Sequence, residues 1–233
     1  LMNMKLIRSF LTIFICFAVS SCMNEKNYFP MKEGKNTSYD IYFTDKENKK
    51  KILKQNYIFL KKKNKVSAVL RNDGHVALYT QNENGVIRQN VDYLFSEFLT
   101  LPSDKLDRDK NQIILKYPIK EEVEWEVDDK TTIQMKLGYD RFYNTNLPFK
   151  LKNKIVSTKE TISIRGKKIK NCIKISGYGK TSYYPDPTLG NINIEIFTTT
   201  YFAKGLGLVK YTREEKSDSE TMGKIIYEKT INL

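Results

Sequence analysis

The densest group of residues that could do chemistry is a run of carboxylates in EEVEWEVDD, at residues 121–129. In a strand, alternate side chains point to the same face. Four carboxylates would therefore share one face: Glu122, Glu124, Glu126 and Asp128. The residues between them would share the other face: Val123, Trp125 and Val127. A row of carboxylates suggests a calcium site, and a pair of them is what glycoside cleavage needs.

A solvated charged face explains this row better than a metal site does. Calcium sites gather oxygen ligands in tight loops, and the sequence has no D-x-[DN]-x-[DN]-G loop. We predict that the carboxylates pair with a lysine face such as the one formed by Lys168, Lys170 and Lys174, opposite Ile169, Ile173 and Ile175. An enzyme with a carboxylate site at residues 122–128 stays as an alternative, because the separation of two carboxylates is spatial.

Other catalytic side chains are scarce. The chain has one histidine and three cysteines, which form no cluster for zinc or iron–sulfur binding. It also has no G-x-S-x-G elbow, Walker loop or dinucleotide fingerprint. His75 follows the turn dipeptide Asp73-Gly74 and is expected to be exposed and without a role, and Cys172 is expected to be a buried structural side chain. We predict a non-catalytic protein without metal or cofactor.

The remaining residue that could take part in a chemical reaction is Cys22, near the amino terminus. Lys5 and Arg8 precede an apolar run over residues 10–19, and Ser20-Ser21 leads into Cys22. The run is too short for the roughly twenty residues of a membrane-spanning helix, and its flanks are those of an export signal. Val19-Ser20-Ser21-Cys22 resembles the bacterial lipoprotein signal. That resemblance implies removal of residues 1–21 and attachment of diacylglyceryl and fatty acyl groups, such as palmitate, to Cys22. The alternatives are an ordinary signal peptide and an uncleaved anchor.

The expected partner of this anchor is a membrane. Two or three acyl chains give stable attachment, and residues 22–27 would form the acylated tether. By resemblance to enterobacterial sorting, retention at the inner membrane needs Asp after the acylated cysteine, whereas this chain has Met23. We therefore predict a cell-envelope protein on the outer membrane, facing the periplasm. Without residues 1–21 the chain keeps 38 basic against 27 acidic residues, but lysine predominates over arginine by 33 to 7 in the full sequence, which disfavours nucleic acid as a partner.

The elements that position these residues are predicted to be strands. Period-two alternation recurs beyond residue 40, and the dipeptides Asp73-Gly74 and Asn84-Gly85 favour tight hairpins. We predict an all-β antiparallel meander that forms a curved sheet or half-barrel. The best strands are 38–44, 65–71, 75–80, 111–117, 131–137, 161–166, 168–176, 192–203, 207–214 and 223–231.

Two features interrupt or divide this pattern. The apolar spacing of VDYLFSEFL favours one short helix near 91–99, and a charged loop near 102–111 could divide the β-rich domain, residues 28–233, into two halves. PMKEGKNTSYDI from Pro30 and PIKEEVEWEVDD from Pro118 align without gaps. The alignment suggests that each half opens with a similar segment led by proline.

Four segments resemble a group of uncharacterised bacterial outer-membrane lipoproteins. Their opening Y-F-P-L-K-x-G-N-x-W-x-Y is similar to residues 28–39, with Thr37 in place of tryptophan. A second segment, P-L-K-x-G-x-x-W, is similar to Pro118, Ile119, Lys120 and Trp125, with Glu122 in place of glycine. The closing A-x-G-V-G-L-V-K resembles residues 203–210, and a strand with Asn-Cys resembles residues 166–175. The resemblance implies a half-barrel like that of lipoprotein carriers, and it implies no reaction.

These observations leave two kinds of binding function open. The first is a non-catalytic scaffold or interaction protein that docks an envelope protein partner. The alternative is a binder or carrier of an apolar, lipid-like ligand. It is suggested by the 27 tyrosine and phenylalanine residues, several of which fall near strands that could line one curved face, such as Phe197, Tyr201 and Phe202.

Overall fold

The structure is a computed structural model. It describes residues 25–45, 47, 50–63, 66–91, 111–137, 141–185, 187–188, 190–220 and 222–233. The predicted signal peptide and Cys22 lie outside these residues, as do residues 92–99 of the predicted helix and nearly all of the loop near 102–111.

After a short 3-10 helix over Lys26–Tyr28, the described residues form twelve strands. They are β1 (Asn36–Thr44), β2 (Lys50–Lys63), β3 (Val66–Arg71), β4 (Val76–Asn82), β5 (Gly85–Val91), β6 (Gln112–Lys116), β7 (Glu124–Leu137), β8 (Arg141–Ile164), β9 (Lys167–Tyr183), β10 (Ile192–Ala203), β11 (Gly207–Ser217) and β12 (Lys224–Ile231).

All twelve strands belong to one antiparallel sheet, which is nearly closed into a barrel. Each strand pairs with its neighbours in sequence, and β1 pairs with β12, so that β6 and β7 are the two edges. Side chains bridge these edges, because Trp125 Nε1 donates to the carbonyl of Ile113 at 2.9 Å and Gln112 Nε2 donates to that of Asp128 at 2.9 Å. The predicted all-β antiparallel fold is confirmed.

Several strands differ from their predicted bounds. The ten best predicted strands include neither β2 nor β5, and they cover only the last residues of β8, which is 24 residues long. The first part of β8 contains Pro148, which donates no hydrogen bond to a ladder and therefore hides the strand pattern. The two predicted turns are confirmed: Gly74 has φ +86° between β3 and β4, and Gly85, with φ +136°, begins β5.

The two proline-led segments have the same backbone geometry. Gly34 and Glu122, each four residues after its proline, have φ values of +73° and +72°. The amide of Gly34 donates to the carbonyl of Phe59, and the amide of Glu122 donates to that of Ile155, at 2.8 and 2.9 Å. β1 and β7 both start six residues after the proline. The alignment in the sequence therefore marks two equivalent turns, one before β1 and one before β7.

Successive strands alternate in direction, so their connections lie alternately at two ends of the sheet. One end carries the turns after β2, β4, β8 and β10 together with residues 25–35, and we call it the tether end. Gly205 of the turn after β10 donates its amide to the carbonyl of Asn27 at 2.8 Å. Glu25 Oε1 accepts from the amide of Ile119 at 2.9 Å. The chain thus makes domain contacts from Glu25 onward, within the predicted tether.

The sheet interior is packed in separate apolar clusters. One cluster near the tether end contains Phe29, Phe59, Val86, Leu115 and Ile155, and another fills the region around Phe149, Ile194 and Ile196. In the second cluster the sheet comes close to the Phe149 ring at Gly179, where an added Cβ would lie 2.5 Å from a ring carbon. A third cluster packs Ile164 and Cys172 of the β8–β9 hairpin against Ala203, Val209 and Ile231.

Within the described residues, no helix has the length and apolar character needed to cross a membrane.

Candidate functional site

The carboxylate row on β7 is exposed and paired with lysines. Lys150 Nζ lies 2.6 Å from Asp128 and 3.9 Å from Glu126, and Lys154 Nζ contacts Glu122 and lies 3.5 Å from Glu124. The charged face is therefore present, but the lysines expected on residues 168–174 were the wrong partners. They lie on β9, and β8 separates β9 from β7 in the sheet.

The carboxylates on β7 form no metal site in this structure. In the part of the chain that the structure describes, no group of three or more His, Cys, Asp or Glu residues is placed to hold a metal ion.

The remaining candidates from the sequence have structural surroundings. Cys172 is buried, its Sγ lies 3.5 Å from the carbonyl of Ile169, and burial raises the pKa of the thiol. His75 is 39% exposed, but it is not idle, because its Nδ1 lies 2.7 Å from the guanidinium of Arg71. Arg71 also binds Asp73, and this hydrogen bond holds the pKa of Asp73 well below its usual range.

The strongest candidate site is a cavity of about 60 Å³ inside the sheet; its side nearest the tether end, which we call its mouth, is lined by Phe29, Lys35 and Leu206. It lies between β1, β2, β3, β4, β11, β12 and the segment before β1. Five of its thirteen lining residues are aromatic, and two are lysines. The residues that define this interior cavity are Phe29, Thr37, Tyr39, Tyr57, Tyr79 and Lys229, with Lys35 at its mouth.

The amino-terminal segment closes the mouth of the interior cavity. The ring of Phe29 lies 5.1 Å from that of Tyr79, 6.1 Å from that of Phe59 and 6.2 Å from that of Phe202. Such offset and edge contacts are favourable for aromatic pairs. Lys35 Nζ donates to the carbonyl of Leu206 at 2.8 Å, and burial lowers the pKa of Lys35. The residues that follow the predicted anchor therefore form the lid of the cavity.

Lys229 is the polar group on the cavity wall with the most unusual surroundings. It lies on β12 opposite Ile41 of β1 and Tyr211 of β11, on the interior face of the sheet. Its Nζ donates to the hydroxyl of Tyr57 and lies 3.8 Å from the centre of the Tyr57 ring and 4.5 Å from that of Tyr39. These contacts stabilise a cation, although by less than an ion pair would.

Charge and burial act together on Lys229. Burial lowers its pKa to about 7, and the positive charges of Arg71 and Arg88 act in the same direction. Within the described residues Lys229 forms no ion pair, so no carboxylate offsets these effects. Burial also raises the pKa values of Tyr39 and Tyr57. The cavity therefore holds an amine that is easily deprotonated and two phenols that stay neutral.

Arg213 occupies the interior beside the cavity and is fully paired. From β11 it reaches across the barrel to β7, where it contacts Asp129 at 2.7 Å and the carbonyl of Lys130 at 2.9 Å, and it binds Glu215 at 2.6 Å. Burial opposes its charge, but Asp129 and Glu215 raise its pKa overall. Its guanidinium lies 5.5 Å from the centre of the Phe149 ring. This bridge joins β11 to β7 through the interior of the sheet.

Arg88 lacks such pairing. It lies on β5 opposite Tyr79, and one of its terminal nitrogens donates to the side-chain oxygen of Gln112. Its Nε is buried and has no hydrogen-bond partner among the described residues. Buried polar atoms without a partner are rare and call for an explanation.

The sequence analysis missed this set of interior cations. Each of the four lies two residues from an apolar or aromatic interior residue of its own strand: Arg71 after Val69, Arg88 after Val86, Arg213 after Tyr211 and Lys229 after Tyr227. The alternation places each cation on the same face as that neighbour, but it does not show that this face is the interior one.

Comparisons with known proteins place the chain beside distant structures only. No protein-family model matches it, and no curated protein matches it. One crystal structure with some similarity is that of a Bacteroides fragilis protein assigned as exported, with a YmcC-like fold. It shares 13% identity, covers 88% of this chain and 98% of that chain, and has a TM-score of 0.39.

Two further crystal structures show similarity at the same level. The hypothetical lipoprotein YmcC of Escherichia coli shares 10% identity, with 86% and 87% coverage of this chain and that chain, at a TM-score of 0.34. A protein assigned as a lipoprotein from Parabacteroides distasonis shares 12% identity, with 88% and 96% coverage, at a TM-score of 0.39. The fold and the site of the present chain therefore define its class by themselves: an all-β, barrel-like protein with a basic, aromatic cavity.

Proposed function

We propose that this chain is a lipoprotein of the bacterial cell envelope, anchored in the outer membrane through acyl groups on Cys22, that binds a ligand in its interior cavity. The anchor is supported by the cationic front, the short apolar run and the small residues before Cys22. We propose binding and not catalysis as its role; the carboxylates on β7, on which the enzyme alternative depends, form exposed ion pairs with Lys150 and Lys154.

One observation carries the proposal: the mouth of the cavity lies toward the end where the tether enters. Glu25 is bound to the domain and is only three residues from Cys22. Three extended residues reach about 11 Å at most. With Cys22 in a membrane, the tether end therefore lies against that membrane, and the lid residue Phe29 faces the lipid. A ligand drawn from the membrane would enter the cavity past Phe29.

Mass spectrometry of the protein purified from its host tests both parts. The anchor predicts a mature amino terminus at Cys22 that carries acyl groups, and a Cys22→Ala variant that leaves the membrane fraction. An unmodified Cys22 would contradict the anchor. Native mass spectrometry of the same preparation should show a bound molecule that is lost when the cavity is filled by Thr37→Trp. A protein that carries nothing and binds no amphiphile would contradict the ligand-binding function.

A scaffold function is the second candidate, and a different surface favours it. The β1–β2 hairpin, at the end opposite the tether, exposes apolar side chains on both faces: Ile52 is 62% exposed on one face, and Leu53, 47% exposed, lies with Phe43 on the other. Exposed apolar groups of this kind are typical of protein contact surfaces. Crosslinking in intact cells from a photoreactive residue at position 52 should then capture one envelope protein. The same residue placed at Lys152, on another strand, serves as the control.

A further inference from the structure

The positive charges inside the sheet outnumber the acidic partners they contact. Arg213 is paired with two carboxylates, and Arg71 is paired with Asp73. Among the described residues, the polar contacts of Lys229 are the Tyr57 hydroxyl and two aromatic rings, and the hydrogen-bond partner of Arg88 is an amide oxygen. Taking a charge out of water without a counter-charge is strongly unfavourable. Two such cations near the same cavity would both be stabilised by a negative group, which the described residues do not supply.

We propose that the interior cavity is an oxyanion site, in which Lys229 binds a carboxylate or phosphate group of the ligand while Arg88 and Arg71 supply additional positive charge. This inference rests on the proposed ligand-binding function and adds the chemical class of the ligand. Lys229 is the direct contact, because it lines the cavity and its Nζ has donor capacity beyond the Tyr57 hydroxyl. Arg71 and Arg88 are near enough to shift its pKa.

The shape of the cavity fits a small charged group with an apolar continuation. At about 60 Å³ it is far below the roughly 300 to 1,000 Å³ of pockets that enclose a whole drug-sized ligand. It has room for an oxyanion, but an acyl chain would have to leave through the mouth. Apolar and aromatic side chains, among them Phe29, Phe59 and Leu208, line the cavity together with Lys229. The charged group would therefore lie at Lys229, and an attached chain would point to the tether end.

The same chemistry could come from a free oxyanion or from the head of an amphiphile. Inorganic phosphate tests the first source and octanoate tests the second. Octanol has the same chain length as octanoate but no charge, so it reports apolar binding alone. Binding of each probe to the purified full chain can be followed by calorimetry and by the fluorescence of the single tryptophan, Trp125.

Three proteins separate the outcomes: the wild type, Lys229→Met and Thr37→Trp. Methionine keeps the length of the lysine side chain and removes its charge. The Thr37→Trp variant is designed to fill the cavity, because Trp125 occupies the equivalent position of the second proline-led segment. Arg88→Met serves as an independent variant should either of the others fail to fold.

The oxyanion site predicts that octanoate binds the wild type at least about tenfold more tightly than octanol, the factor expected for one charge-assisted hydrogen bond. Lys229→Met should remove that difference, and Thr37→Trp should weaken both probes. Binding of phosphate as well would indicate a free oxyanion, and binding of octanoate alone would indicate an amphiphile; both support the site. Equal binding of octanoate and octanol would overturn the oxyanion site and leave the ligand-binding function standing. Binding of no probe would overturn both.

Discussion

Replacing Lys229 by methionine should make the protein more stable at neutral pH. The surroundings of Lys229 lower its pKa from 10.5 to about 7. Each pKa unit corresponds to about 1.36 kcal/mol, so keeping this lysine in the folded protein costs on the order of 4 kcal/mol at pH 7. Methionine is unbranched, of similar length and uncharged, and it packs well in irregular apolar space. Most of that cost should therefore be recovered in the variant.

The same shift fixes the sign of the pH dependence. Between the folded pKa near 7 and the unfolded pKa near 10.5, the unfolded chain binds a proton that the folded chain has lost. Stability therefore rises with pH in this window, by up to about 1.4 kcal/mol per pH unit. Above about pH 10 the trend reverses. Burial raises the pKa of Tyr227 to about 12 and raises those of Tyr39 and Tyr57, so the folded chain keeps protons that the unfolded chain releases.

Urea unfolding at several pH values between about 7.5 and 9.5 measures this effect. The wild type should gain roughly 2 kcal/mol across that range, and Lys229→Met should gain little. Lys152→Met is the matched control, because Lys152 is exposed, and its pH profile should follow the wild type. Parallel profiles for the wild type and Lys229→Met, or a Lys229→Met protein less stable than the wild type at pH 7, would refute the reasoning.

Three further predictions concern the packing and backbone of the fold, and urea unfolding tests each of them. Glu122→Gly should raise the free energy of unfolding by roughly 1 kcal/mol, because glycine adopts the positive φ of this position without strain. Gly34→Ala at the equivalent turn should lower it by a similar amount. Glu122→Gln removes only an exposed ion pair and should change the free energy of unfolding little. Gly179→Ala should destabilise by about 1 to 3 kcal/mol because its Cβ meets the Phe149 ring, and Phe149→Leu should partly rescue it. Arg213→Met leaves two carboxylates without their cation and should cost about 3 to 5 kcal/mol; a cost under 1 kcal/mol would show that the bridge is not structural.

The alternation of apolar and polar residues, together with the turn dipeptides, made the all-β fold class predictable from the sequence. In β10, Ile192, Ile194 and Ile196 are buried and the residues between them are exposed, which is the pattern that the sequence shows. The closure of the sheet could not be predicted in this way. It depends on pairs such as Tyr39 with Ile231, which are far apart in the chain and carry no local signal. Pro148 hid a strand whose pattern is otherwise regular.

The site was harder to predict than the fold for a related reason. Alternation shows which residues share a face, but it does not show which face is interior once basic residues occupy both. Exposed Lys150 and inward Lys229 both lie in strands that mix charged and apolar residues. Only the register places Lys229 opposite Ile41 and Tyr211. The carboxylate row on β7 attracted attention because its charges are adjacent in sequence, whereas the interior cations lie on four different strands.

The position of the cavity follows from a difference between the two proline-led segments. Thr37 and Trp125 each lie seven residues after the proline, at the start of equivalent strands. Trp125 packs against the apolar cluster near the tether end and bonds to Ile113 across the open edge of the sheet. Thr37 is only 8% exposed and lines the cavity, so the smaller side chain leaves space that indole fills in the other half. The space is therefore filled by Trp125 after one proline-led segment and left open beside Lys229 after the other. An unfilled cavity and a buried cation without a counter-charge each destabilise a protein. A ligand site explains their occurrence together better than imperfect packing does.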